Sequence, residues 1–460
     1  MMMMRRCAFA ACLLVFAGMA AGEICSCELP DPFDADAEYA QIIHVSPGGD
    51  DALGTGSEEQ PFRSLGRAAR DAKSGSDILL HAGSYPPDSN IRGLQGTASR
   101  PIRIRGESRE NPAVFSGGGV GFQLSDPRYL VLEDLEIEGA SGNGINIDDG
   151  GNYETPAEHV ILRRITVHDI GPTGNRDGVK LSGLDHFRVE DCTIRRPGDG
   201  GSAIDMVGCH DGILAHNRIL DGQSTGIQAK GGSVRLLIYG NLFDQAGQRA
   251  VNMGGSTGMQ FFRPLDAPYE ASQIAVWANV FVGGVAPIAF VGCENGLFAQ
   301  NTIYLPEKWA GRILQENNDG QLVQCRNNVY ANNIVVFDER VGVTINIGPN
   351  TQPRTFVFAN NLWMHQTNDR FSGPNLPVRE ADGVIQKDPL FADIVAGDFT
   401  LRPESPAIGA GGDLASIIGS LDIPIPAVGD YAERCWNRPP SIGAWEGNPA
   451  AKLQEWKRMD

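Results

Sequence analysis

The chain has 460 residues with a formal charge of −18, 57 glycines and 20% charged residues, and no low-complexity tract. Such a balance fits an ordered, turn-rich globular protein and argues against disorder. It also excludes nucleic acid as a partner, because neutralising phosphates needs clustered Lys and Arg, and any polyanion would need a local basic patch or a bridging cation.

Residues 1–22 read as a signal peptide: Arg5 and Arg6, then the apolar run AFAACLLVFAG, then Ala20, Ala21 and Gly22. The mature protein is expected to be secreted or periplasmic, and the contexts of Cys25 and Cys27 disfavour a lipid anchor. Cysteines 25, 27, 192, 209, 293, 325 and 435 remain outside the signal, and no pairing among them follows from the sequence. Residues 23–99 form an entry segment whose helix, about 64–72, is placed to cover the first coil and protect its edge.

Internal periodicity decides the fold of the middle, residues 100–365. The segments VLEDLEI (131–137), ILRRITV (161–167), RVEDCTI (188–194), ILAHNRI (213–219) and LIYGNLF (237–243) align. So do AVWANVF (275–281), LFAQNTI (297–303), VYANNIV (329–335) and VFANNLW (357–363). Their fifth position runs Leu135, Ile165, Cys192, Asn217, Asn241, Asn279, Asn301, Asn333 and Asn361, which predicts an internal asparagine ladder at a corner. A second strand follows each of several of these: GINI (144–147), GVKL (178–181), AIDM (203–206), GIQA (226–229), AVNM (250–253) and PIAF (287–290). Each alternates apolar and polar residues, and each is too short to stand alone, so the repeats must stack. The apolar stretch 274–293 contains Gly283, Gly284 and Pro287 and reads as strands around a turn, not a membrane span.

Stacking at about 4.8 Å turns outward residues into columns. One column reads Asn146, Lys180, Asp205, Gln228, Asn252 and Ala289; a second reads Asp148, Ser182, Val207, Lys230, Gly254 and Val291. Asp177 and Arg249 enter these strands, and long connections at 151–158 and 256–272 project beside them. Phe261, Phe262 and Tyr269 are candidates for a wall on which sugars stack, with Gln228 and Asn252 as further substrate contacts. The plain reading is a cross-rung ladder in which Lys180 and Asp205 neutralise each other. The chemical reading is β-elimination on a uronate, with Lys230 as base beside the Arg249 cation, and Gly231 and Gly232 leaving room for a bulky chain. The final part, 366–460, carries DPLFAD, GDFTLRPESPAIGAGGD and IGAWE and reads as a closing segment whose acidic residues serve turns and caps.

The repeat resembles the pectate-lyase-like right-handed parallel β-helix proteins over roughly residues 41–450, which implies an all-β solenoid with a capping helix and an irregular C-terminal cap. NRDG (175–178, Asp177), GSAIDM (201–206, Asp205) and GIQAKGGS (226–233, Lys230) resemble polysaccharide lyase family 9, whose aspartates hold Ca²⁺ and whose lysine is the base. Gly201 and Ser202 stand where that family has paired aspartates. A second register matches GVKLSG with Lys180 as base and IDDGG (Asp148) as the acidic element. KGG…GQRAVNMGG is similar to the chondroitinase B and alginate lyase family, which pairs a lysine with an arginine of the next coil. These resemblances imply a monomeric lyase for an acidic polysaccharide, with catalytic Lys230, Arg249 and Lys180, and with Asp177, Asp205 and Asp148 as Ca²⁺ ligands. A glycosidase would instead use Asp148 or Asp149 with Asp177, or Asp177 with Asp205. A C5-epimerase and a non-catalytic carbohydrate-binding surface protein remain the other readings.

Overall fold

The computed structural model describes residues 27–447; the signal segment and Cys25 lie outside them. Parallel strands stack into three long sheets of fourteen, ten and twelve strands, the coils running from Gln41 to Ile385. This is the expected right-handed parallel β-helix. Inward residues such as Ile145, Ile147, Val179, Leu181, Ile204, Met206 and Ile227 are fully or almost fully buried and fill one continuous core. The stretch 274–293 forms the strands Ala271–Trp277, Val280–Val282 and Ile288–Val291, and among the described residues no helix is long and apolar enough to cross a membrane.

The corner between the fourteen- and twelve-stranded sheets is built the same way in successive coils. The residue ahead of the ladder position takes the left-handed conformation: His216 (φ 55°), Ala278 (52°), Gln300 (58°), Asn332 (55°) and Asn360 (53°). The next residue is the ladder asparagine. From Asn241 to Asn361 each side-chain oxygen accepts from the backbone N–H and the amide group of the asparagine one coil earlier, at 2.8–3.1 Å. The amide also donates to a backbone carbonyl of the coil before, as Asn279 does to Ile238 at 2.9 Å. The run begins on the Cys192 N–H and ends on Glu380, which accepts from Asn361 and from the Trp363 indole. Burial raises the Glu380 pKa against these hydrogen bonds.

Both ends are closed. The helix Leu65–Asp71, capped by the Ser64 hydroxyl, buries Leu65 and Ala68 beside the first coil. Cys27 is bonded to Cys435, tying the tail to the closing segment, whereas Cys192, Cys209, Cys293 and Cys325 are buried free thiols. The closing segment covers two outer faces. Leu414, Ile418, Ile423 and Val428 pack on the fourteen-stranded sheet, and Phe391, Phe399, Ile442 and Trp445 on the twelve-stranded one. The ten-stranded sheet, hereafter the open-faced sheet, presents a polar column instead.

Asn279 sits mid-ladder at 0% exposure, so Asn279→Ala removes the side-chain oxygen that accepts from the Asn241 N–H and amide and the amide donor to the Ile238 carbonyl, all in the dry interior. The expected loss is about 3 kcal/mol, read as a lowered denaturant midpoint; an unchanged midpoint would mean that the ladder contributes nothing to register.

Candidate functional site

Pairing on the open-faced sheet sets Asn146 against Lys180, Lys180 against Asp205, Asp205 against Gln228 and Gln228 against Asn252. The column reaches further than the sequence reading took it. Gln123 precedes Asn146, and Arg312 and Asn346 follow Ala289. Lys230 stands in the neighbouring column, in line with Val207 and Ser182.

At the centre lies Asp205, 1% exposed. Lys180 Nζ is 2.5 Å from its Oδ2 and Lys230 Nζ is 2.8 Å from its Oδ1, so lysines from the rungs on either side clamp one carboxylate. Burial works against ionising Asp205, but Lys230 and Lys180 overcome it and hold the carboxyl below its ordinary value. Asp177, also 1% exposed, lies 3.5 Å from Lys180 Nζ and accepts from the Ser202 N–H at 2.8 Å. Burial, reinforced by the charge of Asp205, pushes its pKa up. Burial opposes the Lys180 charge too, yet Asp205 and Asp177 outweigh it and raise that pKa, so Lys180 is held as an ammonium. Lys230 Nζ also donates to Gln228 Oε1 at 3.3 Å. The plain reading of a neutralised Lys180–Asp205 pair therefore holds, with Lys230 as a third member.

The other sequence candidates divide. Asp148 belongs to a separate network, accepting from Gln123 at 2.8 Å, Asn146 at 3.3 Å and the Gly150 N–H at 2.9 Å. Burial, then the neighbouring Asp148, raise the Asp149 pKa. Arg249 pairs with Thr225, at the opposite end of the strand Thr225–Lys230 from the lysine. Its guanidinium is taken by Glu316 and by Asn252 Oδ1 at 3.3 Å. The cation that shares a carboxylate with Lys230 is thus Lys180, through Asp205, whereas Arg249, expected beside Lys230, is paired with Glu316.

The glycines need correcting as well. Gly231 (φ 63°) and Gly232 (φ 86°) are left-handed, and a Cβ on Gly232 would meet the Arg263 carbonyl at 2.4 Å. Their space is filled by the chain's own loop 255–270, not left for a ligand. Buried Glu270 pins that loop by accepting from the Gly231 N–H (3.0 Å), Thr257 N–H and hydroxyl (2.8 Å each) and Asn317 (2.9 Å). Arg263 adds a double contact to Asp185 at 2.6 and 2.7 Å. The Tyr153 hydroxyl donates to the Gln260 carbonyl at 3.0 Å, joining the two long connections into one wall. On that wall Phe261 is 54% exposed, whereas Phe262 is buried. Tyr269 is half-buried and interacts with Arg235 and Glu294 of the fourteen-stranded sheet, away from the lysines.

The donor set does not fit Ca²⁺, which takes roughly six to eight oxygens. The Lys180 ammonium occupies the gap between Asp177 and Asp205, Lys230 covers the other Asp205 oxygen, and Asp148 is engaged elsewhere. Sequence reasoning missed Gln123, Glu270, Glu316 and Arg312. GFQL (121–124) has the alternation of GINI and carried the signal for Gln123; loop residues Glu270 and Glu316 follow no repeat position.

A family profile described as a right handed beta helix region matches residues 109–263. The chain is 23% identical to YwoF of Bacillus subtilis over 441 residues, 79% of this chain and 92% of that one. It is 30% identical to pectate lyase PEL9 of Emericella nidulans over 186 residues, 38% of this chain and 45% of that one. The crystal structure of pectate lyase Pel9A superposes with a TM-score of 0.57 at 14% identity, covering 90% of this chain and 98% of that one. The fold is that of the pectate-lyase-like β-helices.

Asp205→Asn removes the charge two lysines share, and breaking such a buried pair is expected to cost about 3 kcal/mol at neutral pH. A depressed carboxyl pKa adds stability that is complete above the ordinary value of 3.8 and is lost as pH falls through the folded value. The gap between wild type and variant, followed by denaturant titration, should therefore narrow in strong acid; a gap independent of pH would disprove the clamp.

Proposed function

We propose that the open-faced sheet binds an acidic polysaccharide and cleaves it by β-elimination, with the lysine pair on Asp205 as the reacting centre. The observation that carries this reading is the clamp itself. Two ammonium groups converge on one buried carboxylate while their side chains stay 26% and 19% exposed to the groove. In an acidic chain, that is a place where a uronate carboxylate finds positive charge.

Lys180, fixed between Asp205 and Asp177, neutralises the substrate carboxylate and so acidifies the C5 proton beside it. Lys230 has one carboxylate and one amide contact, and its side chain remains 19% exposed to the groove. As the free amine it takes the C5 proton; the C5–H electron pair forms the C4–C5 double bond, and the C4–O bond breaks with the leaving oxygen protonated from solvent. Gln228 and Asn252 lie in the same column to receive sugar hydroxyls, and Phe261 is the wall residue open to a ring. Because Lys180 stands where a bridging cation would, we read the reaction as independent of divalent metal. The pKa values of Asp177 and Asp205 are pushed apart, a pattern of acid–base carboxyl pairs, which favours a hydrolase as the second reading. Both carboxyls are only 1% exposed, however, which keeps a glycosidic bond away from them.

Pectate, alginate and glycosaminoglycans should be screened by ultraviolet absorbance of unsaturated uronate. Product is expected for one of them, unaffected by a chelator and lowered at least ~10²-fold in Lys230→Ala, the usual scale of a lost general base. Reducing ends without unsaturation would point to the hydrolase. Binding without turnover, equal in wild type and Lys230→Ala, would point to a carbohydrate-binding protein.

A further inference from the structure

We infer that Arg312, with Trp309 and Lys308, forms a second anion subsite of the same groove, which takes the carboxylate of a uronate unit further along the polysaccharide. This rests on the reading that the open-faced sheet accepts an acidic polysaccharide. Arg312 extends the outward column, paired on one side with Ala289 and on the other with Asn346. Its strand, Gly311–Leu314, lies three rungs from that of Lys230, or roughly 14 Å at strand spacing. That is the span of a few sugar rings.

Charge at this end is out of balance. Arg249 is matched by Glu316. Arg312 is half-buried, its Nε donates only to the neutral Asn346 Oδ1 at 3.1 Å, and among the described residues no carboxylate lies within ion-pair distance of it. Burial, and then the like charge of Arg249, lower its pKa against the opposing charge of Glu316, which is itself paired with Arg249. Its guanidinium carbon is 4.3 Å from the Trp309 ring centroid and Lys308 Nζ is 4.5 Å from the same centroid, so two cations share one aromatic ring. A guanidinium with no ion pair of its own among the described residues, on the polar face of a chain of charge −18, is an arrangement completed by an anion. A planar guanidinium suits a carboxylate by paired hydrogen bonds. An extended chain crossing the rungs would place one uronate at the lysines and a later one at Arg312.

The test is calorimetric binding at low salt of tri- and hexagalacturonate and of the carboxyl-reduced, neutral hexamer, to wild type, Arg312→Gln and Arg312→Lys in a Lys230→Ala background that blocks turnover. Loss of one charge-assisted contact should weaken the acidic hexamer about tenfold in Arg312→Gln. The acidic trimer and the neutral hexamer should be unchanged, Arg312→Lys should restore part of the loss, and the difference should shrink in high salt. Equal hexamer affinity in Arg312→Gln would overturn the subsite, even if the wild type cleaves the hexamer and the elimination reading stands. A loss confined to the acidic hexamer, with no cleavage by the wild type, would keep the subsite and remove the elimination reading. A chain that prefers no acidic probe over the neutral one would overturn both.

Discussion

Everything on the open-faced sheet depends on the lateral register of the coils, and the buried asparagine ladder is the interaction that enforces it. An amide sealed in the interior must find both donors and acceptors, and Asn217, Asn241, Asn279, Asn301, Asn333 and Asn361 can do so only when successive coils stand directly above one another. A slip by one residue would break every link and reverse the inward and outward faces. Lys180, Asp205 and Lys230 come from three coils and share no local sequence, yet the register brings two ammonium groups onto one carboxylate.

The same stacking produces three outer faces with different fates. Two are apolar enough to be covered by the closing segment, which the Cys27–Cys435 bond ties back to the start of the described chain. The third keeps a column of amides and charges, fenced on one side by the loop that Glu270 and Arg263 hold down. This walled, extended polar column is the geometry on which the proposed binding of a linear polysaccharide rests.

Within the column, the balance between desolvation and neighbouring charge decides the protonation pattern. A carboxylate as buried as Asp205 is costly unless more than one cation answers it, and the pair of lysines does so. Asp177 has a weaker share of Lys180 and its pKa moves the other way. An ammonium fills the gap between them, and Gly201 and Ser202, at the start of the Asp205 strand, add no carboxylate to the pair.

The sequence alone determined the solenoid, the ladder and the columns, because a strand's side chains alternate with a period of two and each coil repeats the last. From GVKL, AIDM and GIQA it follows that Lys180, Asp205 and Gln228 are neighbours, and the pairing agrees residue for residue. Only the tertiary structure decided who answers whom. Arg249 could not be told apart from a partner of Lys230 until Glu316, from a connection outside the repeat, was seen to claim it. Gly231 and Gly232 read as open space until the loop 255–270 was seen to fill it. Strand periodicity is a local property written into every few residues, whereas the choice of counter-ion and the occupant of a gap depend on loops of irregular length whose return path no repeat encodes.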